Sequence, residues 1–253
     1  MMSISDINKL LKEADGEEAL SAFISEFSQD ERGGVQKLVL SATKKLNALC
    51  AEIERIHAMQ TYEREYRSFG YLCGIDEVGR GPLAGPVYAA AVILPEDSDI
   101  LYLNDSKKLS EKKREELYDV IMEKAVSVGI GFSTHERIDE INILQATFEA
   151  MTKAVNSLDP KPGALLIDAV HIPQLEAYKQ VSIIKGDAKS VSIAAASIIA
   201  KVTRDRLMAE YDKQYPEYGF ASNKGYGSAD HIAALKKYGP CPIHRRSFIG
   251  NFV

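Results

Sequence analysis

Two adjacent carboxylates, Asp76 and Glu77, end a short apolar segment at residues 71–75 and are followed at once by a glycine-rich turn. Neighbouring carboxylates repel each other, so such a pair needs a neutralising partner such as a cation. Glycines in a strand-exit turn indicate unusual dihedral angles or a close approach between backbone and ligand. A strand that carries two acidic side chains to its tip, beside such a turn, suits a divalent-metal phosphodiester enzyme.

Two further acidic residues occupy similar positions. Asp168 ends the apolar run 164–167, and Asp187 follows the run 181–186. Because ligands of open α/β sheets gather at strand ends, these carboxylates can converge with the first pair. Several oxygen ligands at one place favour Mg²⁺ or Mn²⁺ over zinc, and two ions about 4 Å apart can activate a water and stabilise a leaving oxygen. Taken singly, Asp168 also suits a turn residue and Asp187 a helix N-cap.

The elements that must position these residues follow from hydrophobic periodicity. Short apolar runs predict strands at residues 71–75, 87–94, 126–132, 164–167 and 181–184. The first two strands are joined too closely for a helical crossover, so we predict an antiparallel pair. Later strands alternate with helical stretches, which lie at about residues 110–125, 142–158, 189–213 and 228–238. Ser110 and Ser228 are candidate N-caps. We therefore predict an α/β fold with a mixed five-stranded sheet flanked by helices.

Residues 1–69 carry helical patterns throughout, and we predict an all-helical N-terminal extension before a catalytic domain at residues 70–253. Ser5 or Asp6 is expected to cap the first helix. After Gly33 a heptad-like stripe runs through the third helical segment; its members are Val35, Val39, Ala42, Leu46, Leu49, Ile53 and Ile56. The favoured interpretation is that this stripe packs on the chain's own first two helices. A role in self-association or substrate contact is the alternative.

The composition is that of a water-soluble globular protein. Apolar residues make up 45% and charged residues 26% of the 253 positions, enough to bury a full core. The three cysteines lie far apart, which argues against a disulfide framework and fits a reducing compartment. The charged N-terminus has no signal-peptide core, and no apolar run approaches membrane-spanning length. We expect a cytoplasmic protein without a membrane partner.

The charge distribution is uneven. The net charge of −5 does not by itself indicate a nucleic-acid partner. Residues 181–253, however, carry 11 Lys and Arg against 6 Asp and Glu. A basic C-terminal third can face phosphates, although an ordinary solvated exterior explains the same charges equally well.

Together these motifs resemble the bacterial ribonuclease HII family. The similarity lies in segments that occur in the family's order, at residues 74–87, 104–110, 167–168, 185–190, 195–206, 223–227 and 242–248. They cover the chain from about residue 70 to its end. Residues 1–70 lie outside these core motifs.

The resemblance implies an RNase H-like fold with a helical C-terminal part. It also implies an endonuclease that hydrolyses the RNA strand of RNA–DNA hybrids and incises 5′ of single ribonucleotides embedded in duplex DNA, leaving 5′-phosphate and 3′-hydroxyl ends. Four carboxylates would be catalytic and would bind Mg²⁺ or Mn²⁺, with two ions during catalysis: Asp76, Glu77, Asp168 and Asp187.

The same resemblance implies a set of substrate-binding residues: Gly79, Arg80, Gly81, Lys107, Lys189 and Tyr226. The glycine turn would present backbone groups to a ribose 2′-hydroxyl, the group that distinguishes RNA from DNA. Tyr226 would pack against the sugar on the 3′ side of the cut and help to tell an RNA–DNA junction from plain RNA.

Other polar residues in or near these motifs are weaker candidates for substrate contact or proton transfer. Basic side chains can contact phosphates, which fix register without reading sequence; the further candidates are Lys108, Lys185, Lys201, Arg204 and Lys224. His231 and His244 are candidate proton shuttles. A structural hydrogen bond is the commoner role for them, since water activated by a metal needs no histidine base.

Three alternatives remain at the level of sequence. Ribonuclease HIII shares the carboxylates, but it differs in the turn after Glu77 and has an N-terminal sheet domain, so Arg80, Tyr226 and a helical N-terminus favour type HII. A non-catalytic nucleic-acid-binding module would gain little from four intact carboxylates. A transposase-like or exonuclease-like enzyme of the same fold would have no evident use for the glycine turn.

We expect a monomer, with self-association through the N-terminal helices as the alternative.

Overall fold

The computed structural model describes residues 2–252, which form two compact units that divide after Ala58. The first unit contains α1 (Ile4–Glu13), α2 (Gly16–Phe27) and almost all of α3 (Gly33–Met59). Its core is made by buried residues of all three helices: Ile7, Leu11, Leu20, Phe23, Phe27, Val35 and Ala42. Val39, Leu46 and Leu49 pack against this core, which confirms the favoured interpretation for the stripe from Val35 to Leu49; Ile53 and Ile56 are not part of this cluster.

The start of α1 differs from the prediction. Ser3, rather than Ser5 or Asp6, is the N-cap, and its hydroxyl accepts the backbone N–H of Asp6 at 3.2 Å. Asp6 lies inside the first turn, where a carboxylate interacts favourably with the helix dipole. Both candidates were within three residues of the true cap, and the earlier serine takes the role.

The second unit contains the sheet. Its elements are α4 (Thr61–Tyr66), β1 (Leu72–Val78), β2 (Val87–Ile93), α5 (Glu111–Lys124), β3 (Ser127–Ser133), α6 (His135–Ile141), α7 (Ile143–Asn156), β4 (Ala164–Asp168), β5 (Lys179–Ile183), α8 (Val191–Gln214), α9 (Phe220–Asn223), α10 (Ala229–Tyr238) and α11 (Arg246–Ile249). The predicted strands and the N-caps Ser110 and Ser228 are confirmed. Helix α6 was not predicted; Asn142, with a φ of 69°, separates it from α7.

The sheet of the described residues has the strand order β3-β2-β1-β4-β5. Strand β1 is antiparallel to β2 and parallel to β4, so the sheet is mixed, as predicted. Ile75 of β1 lies opposite Ile167 of β4. Asp76 and Asp168 follow these two residues directly, so they lie level with each other on neighbouring strands. The register alone therefore brings two of the predicted carboxylates together.

Helices cover both faces of the sheet at close range. A Cβ added to Gly74 of β1 would lie 2.0 Å from the backbone carbon of Ser192, so α8 packs directly on the strand. On the opposite face, a Cβ at Gly129 of β3 would lie 2.1 Å from the carbonyl oxygen of Ala154 in α7. These contacts fix α8, which carries several residues of the site described below. Within residues 2–252, no helix is both long and apolar enough to cross a bilayer.

Helix α4 belongs to the second unit and supports the start of α8. Glu63 Oε1 accepts a hydrogen bond from the hydroxyl of Ser190 at 2.5 Å and another from the backbone N–H of Ser192 at 3.0 Å. A carboxylate at this position satisfies N–H groups that a helix start leaves unpaired. The two compact units thus divide after Ala58, earlier in the chain than the predicted boundary between residues 69 and 70. The assignment of residues 70–253 as the catalytic domain stays a prediction.

Candidate active site

The four predicted carboxylates lie at one end of the sheet. Asp76 and Glu77 are near the end of β1, Asp168 is the last residue of β4, and Asp187 lies in the short helical turn Gly186–Ala188 after β5. Asp168 is close enough to repel the other three electrostatically. The structure therefore gathers residues that are more than 100 positions apart in the sequence.

Hydrogen bonds hold these carboxylates in place. Asp76 Oδ1 accepts the backbone N–H of Glu77 at 2.8 Å, and the hydroxyl of Ser197 in α8 also donates to Asp76. Ser197 Oγ is in turn 2.9 Å from Ser106 Oγ, and both serines are buried. This chain of bonds connects the first carboxylate to the segment that carries Lys107.

Asp168 has a second role beside its charge. Its Oδ1 accepts the backbone N–H of Gly186 at 2.7 Å, which ties the end of β4 to the turn that carries Asp187. Lys185 enters that turn in the left-handed conformation, with a φ of 58°. Asp187 is not the N-cap of α8, because Ser190 takes that position. The helix-cap interpretation of Asp187 is therefore wrong.

Burial and mutual repulsion disfavour the charged forms of these groups. Burial raises the pKa of Asp76 well above its usual value, and repulsion from Glu77 and Asp168 adds to the shift. Burial also raises the pKa of Glu77, although the nearby Arg80 guanidinium opposes it. The pKa of Asp187 is raised by burial and then by repulsion from Asp105. The cluster contains more negative charge than its neighbouring cations balance.

Such a donor set fits a hard divalent cation. Every one of these groups is a carboxylate oxygen donor, the type that Mg²⁺ and Mn²⁺ prefer. In the described part of the chain, no three His, Cys, Asp or Glu side chains already surround a common point closely enough to hold an ion. Two properties of the site nevertheless suit a divalent cation, namely its carboxylate donors and its unbalanced negative charge. A bound cation would offset the repulsion that raises these pKa values.

Asp105 is a site residue that sequence reasoning missed. It caps the short helical turn Ser106–Lys108 by accepting the N–H of Lys107 at 2.9 Å, and its carboxyl also hydrogen-bonds to Asp187. Its place within the motif at residues 104–110 was the available signal, but its distance in sequence from Asp187 concealed the contact. Lys107 lies in the same cluster, where its charge favours the ionised forms of Glu77 and Asp187.

The glycine turn lies beside Tyr226. Gly79 has a φ of +90°, and a Cβ there would lie 2.3 Å from Nε of Arg204, so both conformation and packing require glycine. Gly81 differs, because an added Cβ would meet a single neighbour within 4 Å, Cε1 of Tyr226 at 3.7 Å. Tyr226 is 43% exposed. The turn thus leaves open space at Gly81, with an exposed aromatic ring along one side.

Two buried arginines hold this region together. Arg245 donates to the carbonyls of Gly79 at 2.5 Å, Arg80 at 2.9 Å and Gly85 at 2.9 Å. Arg204 donates to the carbonyls of Ala84, Pro86 and Lys224 at 3.1, 3.0 and 2.8 Å. Both side chains are fully buried. The prediction that Arg204 lines the path of phosphates is wrong, because burial keeps its guanidinium from solvent.

The remaining basic candidates have mixed placements. Arg80 extends from the glycine turn and pairs with Glu77 at 3.3 Å. Lys189 follows the turn of Asp187, and its backbone N–H donates to the carbonyl of Gly186. Lys201 pairs with Asp205 at 2.8 Å, with its side chain 17% exposed. Arg80 and Lys107 therefore lie close to the carboxylates, and Lys189 is two residues after Asp187 in the chain. The charge of Lys201 is balanced by Asp205 of the same helix.

Comparison with known proteins fits this arrangement. A sequence model described as ribonuclease HII matches residues 73–251, which is most of the chain. The chain belongs to the ribonuclease HII family. A second model, described as the ribonuclease HII N-terminal domain, matches residues 3–67.

Relatives are similar along almost their whole length. Ribonuclease HII of Lachnoclostridium phytofermentans is 62% identical over 250 residues, covering 99% of this chain and 98% of the relative. That of Bacillus licheniformis is 53% identical over 249 residues, covering 98% and 96%. Among solved structures, ribonuclease H2 from Pyrococcus horikoshii is 31% identical with a TM-score of 0.59, covering 70% of this chain and 93% of that one.

Two other solved structures extend the comparison. Archaeoglobus fulgidus RNase HII, solved in complex with PCNA, is 27% identical with a TM-score of 0.61, covering 72% of this chain and 96% of that one. Bst-RNase HIII, solved in complex with Mn²⁺, is 19% identical with a TM-score of 0.52, covering 66% of this chain and 61% of that one. At that identity the likeness to RNase HIII shows a shared RNase H-like fold.

Membership of the ribonuclease HII family decides between the earlier alternatives. The chain is an endoribonuclease of the ribonuclease H type, which acts on RNA–DNA hybrids and depends on divalent metal ions. The interpretation as a non-catalytic binding module is therefore wrong. The family match likewise excludes type HIII, and the first unit is built from the helices α1, α2 and α3 where type HIII was expected to have a sheet domain.

Proposed function

We propose that this ribonuclease HII hydrolyses the RNA strand of RNA–DNA hybrids and also incises 5′ of a single ribonucleotide embedded in duplex DNA. The products are a 5′-phosphate and a 3′-hydroxyl. The observation that supports this substrate choice is the open space at Gly81, bounded by Tyr226 and continuous in sequence with Asp76 and Glu77. A sugar that binds in this space would lie next to the carboxylates proposed for hydrolysis.

In this proposal, four carboxylates hold the divalent cations: Asp76, Glu77, Asp168 and Asp187. When bound, a pair of Mg²⁺ or Mn²⁺ ions supplies activation of a water and stabilisation of the leaving oxygen. The protein supplies orientation. Ser197 and the backbone N–H of Glu77 fix the oxygens of Asp76, and the N–H of Gly186 fixes those of Asp168. The raised pKa values of Asp76, Glu77 and Asp187 support a cationic partner.

Recognition of the ribose is assigned to the backbone of Gly79, Arg80 and Gly81. A 2′-hydroxyl both donates and accepts hydrogen bonds, so backbone groups can bind it without a side chain. Arg245 supports this role because its three hydrogen bonds hold the turn rigid from beneath. A rigid turn loses little conformational entropy on binding.

The remaining contacts position the nucleic acid and do not read its base sequence. Tyr226 packs against the sugar on the 3′ side of the cut, and its exposed ring supports this role. Arg80, Lys107 and Lys189 contact phosphates, which place the nucleic acid without reading its bases.

We assign residues 70–253 to catalysis and propose that the protein acts as a monomer. Sedimentation velocity tests the monomer, since a concentration-dependent rise in mass would contradict it.

The decisive experiment uses a labelled DNA duplex that carries one ribonucleotide, with an all-DNA duplex as the matched substrate. In Mg²⁺ the wild-type enzyme should cut the first duplex at the bond 5′ of the ribonucleotide and leave the second intact, and EDTA should stop the reaction. Asp76→Asn should remove turnover while its circular dichroism spectrum stays native. Absence of a cut at that bond, alongside cleavage of an RNA–DNA hybrid, would overturn the proposed substrate range.

A further inference from the structure

Two buried histidines connect the Tyr226 loop to the segment beside the glycine turn. His231, in α10, is 0% exposed and His244 is 1% exposed. Their Nε2 atoms are 3.0 Å apart. His231 Nδ1 lies 2.8 Å from the carbonyl oxygen of Tyr226, and His244 Nδ1 lies 3.0 Å from the backbone N–H of Cys241. Neither histidine is exposed enough to exchange protons with a substrate, so the proton-shuttle interpretation is wrong.

The protonation of both rings follows from the two ends of this chain of bonds. The backbone N–H of Cys241 can only donate, and it lies 3.0 Å from His244 Nδ1, so that atom is bare. The Sγ and the carbonyl oxygen of Cys241 are also near this atom, at 3.1 and 3.3 Å, and the N–H makes the shortest contact. A ring with a bare Nδ1 carries its proton on Nε2, so His244 donates to a bare Nε2 of His231. His231 then carries its proton on Nδ1 and donates to the carbonyl of Tyr226, which can only accept, and both rings are neutral.

Neutral rings are also what the surroundings favour. Burial lowers the pKa of His231, and burial together with the neighbouring His231 lowers the pKa of His244 to about 4. Tyr218 lies edge-on to the His244 ring with centroids 4.9 Å apart, and Phe220 lies edge-on to the His231 ring at 5.3 Å. The aromatic walls leave the rings little freedom to turn, so the direction of the bonds is fixed.

The hydrogen bonds that run from the Tyr226 carbonyl through His231 and His244 to Cys241 form a relay. This relay connects the two parts of the proposed substrate site. His244 forms an isolated β-bridge with Ala84, in the loop that continues from the glycine turn, and the N–H of Gly85 donates to the carbonyl of Ile243 at 2.9 Å. His231 bonds to the backbone of Tyr226 itself. The distance between the glycine turn and the tyrosine ring is thus set partly by one side-chain contact between two histidines.

We propose that His231 is a positioning residue that holds Tyr226 at its working distance from Gly81, with His244 orienting the His231 ring. This inference rests on the proposed role of Tyr226. It predicts that losing the bond to the Tyr226 carbonyl impairs incision at a single ribonucleotide, where the sugar on the 3′ side is a deoxyribose. Cleavage within a uniform RNA–DNA hybrid, which has a ribose there, depends less on that contact.

Two amide substitutions separate the two ends of the His231 ring. In His231→Asn the amide nitrogen takes the place of Nδ1 and can still donate to Tyr226. In His231→Gln the amide reaches the place of Nε2 and meets His244 but leaves the Tyr226 carbonyl without this donor. Gln is closer to His in size, so a role in filling space predicts that Gln is the milder change. Positioning of Tyr226 predicts the reverse.

The test measures kcat and KM for the full-length enzyme on a duplex with one ribonucleotide and on a uniform hybrid. His231→Gln should lower the ratio of kcat/KM between the two substrates by about tenfold, and His231→Asn should keep it within about threefold of wild type. Met151→Ala, a buried change in α7, controls for lost stability and should not alter the ratio. An equal ratio in His231→Gln and wild type would overturn the inference.

A second measurement needs no variant. Nitrogen-15 NMR of histidine-labelled wild-type protein at pH 7 should show His231 protonated on Nδ1 and His244 on Nε2. A charged ring, or His231 protonated on Nε2, would contradict the relay even if activity were normal. If the wild-type enzyme cuts hybrids but never a single ribonucleotide, the proposed function fails instead, and the NMR result identifies which of the two ideas is at fault.

Discussion

Gly81 lies beside Tyr226, and a Cβ added to the glycine would be 3.7 Å from Cε1 of the tyrosine ring with no other atom within 4 Å. The fold therefore does not require glycine at this position. Gly79, two residues earlier, is required twice over, by its positive φ and by the side chain of Arg204. The absence of a side chain at Gly81 fits the proposed approach of a ribose to the backbone.

Gly81→Ala should therefore separate folding from function. The melting temperature should change little, because the added methyl group meets no close neighbour in the free protein. Incision at a single ribonucleotide should fall by at least about tenfold, because the methyl group occupies space proposed for the sugar. Gly33→Ala is the matched control, since it also adds a methyl group in open space at an ordinary φ. Wild-type turnover in Gly81→Ala would argue against a sugar at this position.

Asp76→Asn should raise the thermal stability of the metal-free protein. The pKa of Asp76 is raised in the folded state, so ionised Asp76 opposes folding at neutral pH, and removing its charge removes that cost. The amide oxygen can still accept the N–H of Glu77. Melting in EDTA should show the increase, and the exposed change Asp97→Asn should show none. A lower melting temperature for Asp76→Asn would mean that repulsion in the cluster is already compensated.

Acid should weaken the fold through His244. Its folded pKa of about 4 lies below the unfolded value of 6.5, so stability is fully present above pH 6.5 and is lost as the pH falls towards 4. Burial is the main reason that the pKa of His244 is lowered; the nearby His231, Arg246 and His135 also oppose its protonation, while a hydrogen bond to the backbone of Cys241 favours it. Between pH 7.5 and 4.5 the loss from this group is about 2 kcal/mol.

His244→Gln provides the comparison for that prediction. Its amide nitrogen can replace the Nε2 donor but does not titrate, so the variant lacks this share of the acid loss. Urea unfolding at both pH values gives the free energy of unfolding of each protein. The stability advantage of wild type over His244→Gln should shrink as the pH falls, whereas a constant difference would show that His244 does not titrate in this range.

The fold was largely predictable because its elements carry local signals. Apolar runs marked all the strands of the sheet, and a serine marked the starts of α5 and α10. Helix α6 was not predicted as a separate helix; it ends at Ile141, and Asn142 separates it from α7 with a positive φ, which non-glycine residues adopt only occasionally. The four carboxylates were identifiable because each follows an apolar run.

The supporting residues were not predictable for a different reason. Arg204 and Arg245 are polar residues in the sequence, and nothing local shows that backbone carbonyls from distant loops enclose them. The contact between Asp105 and Asp187 likewise joins segments that only the folded sheet brings together. The relay from Cys241 to Tyr226 depends on ring orientations, which no spacing of residues encodes.

We propose that Asp76, Glu77, Asp168 and Asp187 form one cation site. Calorimetric titration of the metal-free protein with Mn²⁺ tests this proposal, using wild type, Asp76→Asn, Asp187→Asn and the exposed control Asp97→Asn. We expect wild type and Asp97→Asn to bind Mn²⁺ alike, and both site variants to bind at least about tenfold more weakly, since each loses a charged oxygen ligand. Binding of Mn²⁺ to Asp76→Asn and Asp187→Asn with wild-type affinity would contradict the claim.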